Sequence, residues 1–338
     1  MSVFKESLSY RPFTYSWAAE AAQKHDIDMF WNVHQVNLQD DIQQYYSKEG
    51  LKTGNVSHEQ NKAILDKTLC LFTEMDRTVG AGYTEVLPFI KNNEIRNMML
   101  VFAAREVTHQ RAYALAAETF GFSNSDWTAF AEYKQMVDKL DAMGENVVPD
   151  GARDELRATI KLTQILLGEG IGLFGAFGTL LNQKRHGILN GFNDINEWSL
   201  KDEQEHVINN IRTVQEMKLD LTEIERMALE YVTRRFVDRF REAEYRYLEL
   251  VFELGGAEGL TLAEMKGYID YLCQLRLFQL GYVALADVPV NPLPWMEWLL
   301  GANKHSNFFE KKVTDYVHRE LPGEINYNRY RRMLPGAA

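Results

Sequence analysis

Two histidines follow a glutamate by three residues, a spacing that could bind a metal ion. The pairs are Glu106 with His109 and Glu203 with His206. On an α-helix, residues three apart lie on one face, so each carboxylate and imidazole can reach the same ion. The spacing is weak evidence by itself in a chain with 8 histidines and 48 acidic residues. The surrounding pattern must support it.

A single acidic residue precedes each pair within an apolar helical pattern. Asp76 lies in LCLFTEMDRTVG, 30 residues before Glu106, and Glu169 lies in ILLGEGIGLFG, 34 residues before Glu203. These separations correspond to one helix and one turn. The chain therefore contains, twice, a helix with one carboxylate followed by a helix with Glu-x-x-His. This pattern is typical of four-helix proteins that bind two iron or manganese ions in the bundle core.

Buried carboxylates at these positions would require compensating charge. An ionised carboxylate in an apolar helix face costs several kcal/mol unless it is paired or bound to metal. Four acids and two imidazoles could hold two divalent cations, and oxygen ligands with one imidazole per ion favour Fe or Mn. The alternative is that Asp76 and Glu203 are solvated helix acids and that His109 is a hydrogen-bonded core residue. Glu169 fits this alternative least, because its neighbours are apolar or glycine.

Tyr113 extends the stripe formed by the first pair. It lies four residues beyond His109 and seven beyond Glu106, which places it on the same helix face. Its ring would lie beside the metal ions if the site exists, and it would otherwise be an ordinary packed aromatic residue.

The segment around Glu169 also matches a nucleotide-binding motif. Gly170-x-Gly172-x-x-Gly175 fits G-x-G-x-x-G, and Asp194 follows at about the distance of a ribose-binding acid. The motif requires a preceding strand, whereas IKLTQILLGE continues a helical pattern. We therefore interpret the glycines as sites of close helix packing around Glu169.

Composition limits the possible partners and compartment. The net charge of −11 and the pI near 5.3 argue against binding to nucleic acid or to an anionic membrane. No window reaches the roughly 18 uninterrupted apolar residues that a membrane span needs. Cys70 and Cys273 show no disulfide or thiolate-metal spacing. We expect a soluble, cytoplasmic protein.

The hydrophobic periodicity predicts an all-α fold. Only 8 prolines interrupt 338 residues, and alternating strand patterns are scarce. We predict a single helical domain over 1–310 and a polar C-terminal tail over 311–338 that is mobile or docked on a partner. Helical patterns cover about 57–84, 90–120, 153–184, 194–217, 221–254 and 261–283.

Several segments together resemble the small (beta) subunit of class I ribonucleotide reductase, a radical-generating family. They are FTEMD, REVTHQRAY, LLGEGIGLF, KDEQEH, NPLPWM at 291–296 and NFFEKKVTDY at 307–316, in the order and spacing of the family. The resemblance covers about residues 28–318. It implies a ferritin-like helical bundle with additional helices and a dimetal site in its core.

The resemblance also implies roles for individual residues. One metal ion would be bound by Asp76, Glu106 and His109, and the other by Glu169, Glu203 and His206. Tyr113 lies where the family keeps its radical tyrosine. Trp31, in MFWNVHQVNL, and Asp202 match the residues that relay the radical outward together with His109. Tyr316 matches the tail tyrosine that passes it to the large subunit.

The implied activity is that of a ribonucleoside-diphosphate reductase in which this chain supplies the radical. A centre of two Fe ions, or of two Mn ions, would activate O2 and generate a tyrosyl radical. A homodimer of this chain would pass the radical to the large (alpha) subunit, which makes deoxyribonucleotides for DNA synthesis. Cys70 and Cys273 cannot supply the reducing thiols, so we expect no reductase activity from this chain alone.

Two features limit the resemblance. The tail ends in NYNRYRRMLPGAA, which is basic where the family tail is commonly acidic. The same bundle also serves dimetal oxidases and oxygenases that act directly on an organic substrate, and fold alone cannot separate these activities. Tyr113, the Trp31 and Asp202 pair, and the NFFEKKVTDY segment favour the radical subunit.

Overall fold

The computed structural model describes residues 2–7 and 14–301. Tyr316 and the predicted tail over 311–338 lie outside the described residues. So does the predicted domain boundary at residue 310, which stays a prediction.

The described residues form helices and connecting turns, as the periodicity predicts. They contain no β-strand beyond one isolated bridge between Thr53 and Val56. Without strands, the described residues contain no nucleotide-binding βαβ unit, which agrees with the interpretation of the glycine motif as helix packing. The α-helices are α1 Ser16–Gln23, α2 Gln39–Tyr46, α3 His58–Val86, α4 Asn93–Thr119, α5 Asn124–Ala129, α6 Lys134–Gly144, α7 Asp154–Leu167, α8 Phe174–Arg185, α9 Asn190–Lys218, α10 Glu223–Glu253, α11 Leu262–Gln279 and α12 Pro294–Gly301.

Side-chain caps start the long helices where the sequence changes from turn to apolar periodicity. In α3, the Ser57 hydroxyl accepts a hydrogen bond from the Gln60 N–H, and the Gln60 side chain accepts one from the Ser57 N–H. Thr222 with Glu225 caps α10 in the same way. Each reciprocal cap satisfies main-chain donors that the first helical turn leaves free.

Four helical segments surround the centre of the molecule. Helix α3 packs on α4 and α7, and α9 packs on α4, α7 and α8. Helices α10 and α11 cover the outer side of the α7–α8 segment. The centre of this arrangement is therefore closed on all sides by helices, so polar side chains there are removed from water.

The predicted helix over 153–184 is not continuous. A π-helical turn, Gly168–Gly172, separates α7 from α8, and we call it the π turn. The run Asp154–Arg185 is apolar and long enough to cross a membrane, but its apolar window is entirely buried inside the protein, as a core helix is. Its apolar character therefore reflects burial among α3, α9, α10 and α11.

Candidate metal centre

Six acidic and histidine side chains meet in the centre of the bundle. All six are buried, with at most 1% of their surface exposed. The polypeptide brings them from four separate helical segments, as the two-fold sequence pattern predicts. They are Asp76 from α3, Glu106 and His109 from α4, Glu169 from the π turn, and Glu203 and His206 from α9.

The six residues form two overlapping groups. In each group, one ligand atom from every member lies within 4.8 Å of the others. The first contains Asp76 and His109, the second contains Glu169 and His206, and both contain Glu106 and Glu203. The family resemblance implied one of these two glutamates for each metal position. In the structure, both glutamates lie between the two positions.

The cluster leaves many buried polar atoms without a hydrogen-bond donor. Both carboxylate oxygens of Glu106 and of Glu203 lack a hydrogen-bond partner, and so does Asp76 Oδ2. The Nδ1 atoms of His109 and His206 are also without one. Buried polar groups are nearly always hydrogen-bonded in proteins. Seven such atoms gathered in one place fit a site built to bind two divalent cations.

Electrostatics at the cluster favours added positive charge. Burial and the nearby Glu106 carboxylate raise the pKa of Asp76 well above its usual value. Burial raises the pKa of Glu169 to about 8, against the opposing effect of His206. Burial alone would lower the pKa of His206, but the surrounding carboxylates raise it well above its usual value. The site thus attracts protons when no metal ion is bound, because its carboxylates repel one another.

Each histidine points one ring nitrogen into the cluster and uses the other outside it. His109 Nδ1 lies 3.1 Å from Glu203 Oε1, and His109 Nε2 lies 3.1 Å from Asp202 Oδ2. His206 Nδ1 lies 3.2 Å from Glu106 Oε1, and His206 Nε2 lies 3.0 Å from His25 Nε2. With Nε2–H donated outward, loss of the Nδ1 proton leaves the Nδ1 lone pair of each ring for a metal ion.

Asp202 contacts both Trp31 and His109, the residues predicted to relay the radical with it. Its Oδ2 accepts a hydrogen bond of 2.7 Å from Trp31 Nε1 and contacts His109 Nε2 at 3.1 Å. The Trp31 ring also stacks on the His109 ring, with centroids 5.8 Å apart. Both Trp31 and Asp202 are buried, so Asp202 is not a solvated helix acid. The structure therefore brings Trp31, Asp202 and His109 into one continuous set of contacts.

Several buried residues around the cluster were not predicted from the sequence. Tyr83 donates a hydrogen bond of 2.9 Å to Glu169 Oε1, and Asn210 donates one of 3.3 Å to Glu169 Oε2. The guanidinium of Arg105 lies 3.5 Å from Asp202. Burial lowers the pKa of His25 to about 3, so this ring is neutral and can accept the His206 proton. One feature of the sequence indicated that Arg105 lies near the cluster, namely its position next to Glu106. There was no such indication for His25.

Tyr113 is completely buried, and its hydroxyl lies beside the buried Ser199 hydroxyl. Its ring stacks on Phe72, with centroids 4.9 Å apart, and meets Phe192 edge-on. Burial, and then the charge of Asp76, raise the pKa of Tyr113 well above its usual value. The phenol therefore stays protonated in a dry aromatic pocket within the field of the cluster.

The burial of the cluster decides the alternative left open by the sequence. Asp76 and Glu203 each have only 1% of their surface exposed, so the interpretation of these residues as solvated helix acids is wrong. His109 is a core histidine, but its Nδ1 faces carboxylates without a hydrogen bond.

Comparisons with known proteins place the chain among the small chains of ribonucleotide reductase. Residues 7–292 match the family model described as the small chain of ribonucleotide reductase. A probable ribonucleoside-diphosphate reductase small subunit of Invertebrate iridescent virus 3 is 28% identical over 340 residues, covering 96% of this chain and 88% of the viral protein.

Solved structures share the fold. The dimanganese(II)-NrdF structure from Streptococcus sanguinis superposes with a TM-score of 0.72 at 16% identity, covering 88% of this chain and all of that one. The Rnr4 homodimer of the ribonucleotide reductase of Saccharomyces cerevisiae gives a TM-score of 0.69 at 16% identity, covering 93% of this chain and 92% of that one.

Proposed function

Because the chain belongs to the ribonucleotide reductase small-chain family, we propose that it generates and stores a tyrosyl radical for the large subunit of a ribonucleoside-diphosphate reductase. The observation that carries the proposal is the pair of overlapping ligand groups in the core, whose buried carboxylate and imidazole atoms lack hydrogen-bond partners.

The cluster suits two divalent ions. Asp76 and His109 would bind one ion, Glu169 and His206 would bind the other, and Glu106 and Glu203 would lie between them. Oxygen donors with one imidazole per ion suit both iron and manganese. We propose two Fe ions per chain, with two Mn ions as the other cofactor that this ligand set accepts. The bound ions would supply the redox chemistry that activates O2 and oxidises a nearby phenol.

Tyr113 would carry the radical. Its ring has no exposed surface, and the Phe72 ring stacks on it. A dry apolar pocket protects a reactive group from side reactions. Because the hydroxyl is buried and protonated, oxidation of Tyr113 to a neutral radical also requires the loss of its proton.

Asp202 and Trp31 would connect the cluster to the partner subunit. Asp202 holds the His109 ring in the tautomer that leaves Nδ1 for the metal, and it also accepts the Trp31 N–H. The Asp202 carboxylate therefore connects the His109 ring to the Trp31 indole, and the indole stacks on the His109 ring. Tyr316 would continue the path to the large subunit, and this role rests on the sequence alone.

The proposal includes a homodimer in the cytoplasm. The yeast relative named as a homodimer has the same fold, and α4 of this chain exposes apolar side chains that a second copy could cover. Leu100 and Val107 lie seven residues apart on one face of α4, and each is about half exposed, at 49% and 52%. Family membership favours this activity over direct oxidation of an organic substrate.

Reconstitution tests the proposal. Metal-free protein is loaded with Fe(II) under O2 and its low-temperature EPR spectrum, its iron content and its turnover with the cognate large subunit are measured. We expect a tyrosyl signal, two iron ions per chain and turnover only in the presence of the large subunit. Tyr113→Phe should keep both ions and lose the radical signal and at least about 99% of turnover, because no other residue takes its role.

Tyr268→Phe is the matched control, since Tyr268 is buried outside the cluster. It should retain the radical signal. A Tyr113→Phe protein that keeps both the signal and the turnover would contradict the assignment.

A further inference from the structure

The glycines of Gly170-x-Gly172-x-x-Gly175 make room for large side chains from two other helices. A Cβ atom at Gly170 would lie 2.7 Å from Arg276 Nε, and one at Gly172 would lie 3.2 Å from the Phe240 ring. A Cβ atom at Gly175 would lie 2.1 Å from Glu244 Oε2. Such contacts are shorter than van der Waals distance. The motif therefore admits α10 and α11 against the segment that carries Glu169.

Two of these side chains bind the main chain, one inside the π turn and one just after it. Arg276 Nε donates a hydrogen bond of 3.2 Å to the Gly170 carbonyl, directly after Glu169. Glu244 Oε2 accepts a hydrogen bond of 2.9 Å from the Gly175 N–H at the start of α8. A π turn breaks the regular helical pattern of hydrogen bonds. Main-chain carbonyl and N–H groups near it can therefore form hydrogen bonds with side chains of neighbouring helices.

Both side chains are buried charges with an unusual use. Arg276 is 1% exposed and Glu244 is fully buried. Glu244 forms an ion pair with Lys139 of α6, which is also buried. Within residues 2–7 and 14–301, no carboxylate forms an ion pair with Arg276; its other hydrogen bond goes to Gln279. Burying a charge costs several kcal/mol unless it is well bonded. Here both charged side chains bind main-chain groups in or next to the π turn.

We propose that Arg276 and Glu244 are positioning residues that hold the π turn, so that the Glu169 carboxylate is fixed for the second metal position. Tyr83 and Asn210 hold the carboxylate itself, while Arg276 and Glu244 hold the backbone on which it stands. Residues outside the ligand set commonly set ligand orientation, and their loss weakens metal binding. This inference rests on the proposed function, because it assumes that Glu169 binds metal.

Titration of metal-free full-length protein with Mn(II) tests the inference. Bound metal per chain and the EPR signature of coupled against isolated Mn(II) are measured for the parent, Arg276→Met and Gly170→Ala. We expect the parent to bind two coupled ions. Both variants should bind the first ion normally, lose the coupled signal, and bind the second about ten- to a hundred-fold more weakly.

The two variants remove the same contact by different changes, so a shared effect on metal binding is not explained by the loss of folding of one variant. Arg276→Met removes the donor, whereas Gly170→Ala keeps Arg276 and adds a methyl group that displaces it. Alanine favours helix more than glycine by about 1 kcal/mol. If helix propensity alone mattered at this position, Gly170→Ala would increase the stability of the protein.

Two controls separate positioning from general stability. Gly178→Ala adds a methyl group to α8 that meets only the flexible end of Met265, and Leu272→Ala removes buried packing from α11 but keeps the Arg276 side chain. Both should bind two coupled ions. If Arg276→Met and Gly170→Ala also bind two coupled ions with parental affinity, the inference is wrong. If the parent itself does not bind two, the proposed function is wrong instead.

Discussion

Glu106 and Glu203 are the residues on which the proposed centre depends most. Their carboxylates belong to both ligand groups, and neither has a hydrogen-bond donor on either oxygen. His109 and His206 approach them from opposite ends, each with Nδ1 directed inward. Because two carboxylates this close repel one another in a buried site, positive charge between them stabilises the arrangement.

Replacing a single carboxylate at one end should separate the two metal positions. Glu169→Gln keeps the size of the side chain and removes its charge. We expect bound metal to fall from two ions to one per chain. Burial raises the pKa of Glu169 to about 8, so the metal-free parent already holds this carboxyl mostly protonated at pH 7. The metal-free variant should therefore be about as stable as the metal-free parent at that pH. Metal analysis and thermal unfolding check both statements.

Glu94→Gln provides the matched control for that experiment. Glu94 is buried at the start of α4 but lies outside both ligand groups. It should leave the count at two. Full metal occupancy in Glu169→Gln would remove Glu169 from the ligand set.

Trp31→Phe should separate radical formation from radical use. The substitution removes the indole N–H that binds Asp202 at 2.7 Å and leaves the ligands in place. We expect two metal ions and a normal tyrosyl signal, with turnover in the presence of the large subunit reduced at least about 100-fold, because the outward path is broken. EPR and a nucleotide-reduction assay measure the two quantities.

The control for this variant is Trp198→Phe. Trp198 touches the Trp31 ring, with centroids 5.4 Å apart, but does not bind Asp202. It should keep most of the turnover. Equal activity of Trp31→Phe and Trp198→Phe would mean that Trp31 is not part of the relay.

The sequence predicted which residues would meet, but not how they would meet. Helical spacing shows that Glu106 and His109 share a face, and the apolar flanks of Glu169 indicate burial. The sequence carries no information on distances between helices. That Glu106 and Glu203 belong to both ligand groups could therefore not be derived from it. His25 reaches His206 from 181 residues away in sequence, and no local pattern reports such a contact.

Among the helices, α10 illustrates how a surface cap supports the buried centre. Its N-terminus begins at the reciprocal cap between Thr222 and Glu225. Glu225 also forms an ion pair of 2.7 Å with Arg153, the residue that precedes α7. The same helix carries Phe240 and Glu244 against the π turn. The start of α10 is therefore joined to the start of α7, the helix that leads into the Glu169 segment.

Loss of that cap should lower stability by a modest amount. Thr222→Ala removes the hydroxyl that accepts the Glu225 N–H. We expect the free energy of unfolding to fall by about 1 kcal/mol, measured by urea denaturation. Thr84→Ala is the control, because Thr84 is exposed inside α3 and alanine is the better helix former there. A stability loss as large for Thr84→Ala would argue against a specific capping effect.

Element positions followed from the sequence more closely than element details. The helical patterns over 57–84 and 90–120 correspond to α3 and α4 within a few residues, because apolar spacing and caps are local signals. The π turn was not predicted. A run such as ILLGEGIGLFG is apolar throughout, so its periodicity does not show where one extra residue enters a turn. The glycines indicated close packing, but not which side chains they admit.

At the scale of the molecule, four of the exposed apolar residues lie on α4 or on the segment that follows α1. Ile27 and Phe30, which follow α1, are 64% and 46% exposed, and α1 packs against α4. With Leu100 and Val107 they provide apolar surface on neighbouring elements. In a protein of net charge −11, which favours separation of copies, such surface is consistent with a specific contact rather than general adhesion.

A charge on this face should break the proposed homodimer. Leu100→Glu with Val107→Glu would place like charges in a symmetric contact, where each substitution occurs twice. The cost is several kcal/mol, so we expect a monomer in sedimentation velocity at concentrations where the parent is a dimer. Leu219→Glu, at an exposed residue beyond α9, should remain dimeric. A dimeric double variant would place the interface elsewhere.

The fold class and family could be predicted from the sequence because helical periodicity and the six segments extend over most of the chain. The resemblance also implied a homodimer, but not which face a second copy would cover, since an exposed apolar residue looks the same in sequence as a buried one. Leu100 and Leu69 both occupy apolar helical positions, but only the structure shows that Leu100 is exposed and Leu69 is fully buried.

Anomalous X-ray diffraction from crystals of the Mn(II)-loaded protein tests the dimetal centre most directly. We predict two anomalous peaks in each chain. One should lie within bonding distance of Asp76 and His109, and the other within bonding distance of Glu169 and His206, with Glu106 and Glu203 between them. A single peak, or no peak among these six side chains in protein shown to be folded, would contradict the account.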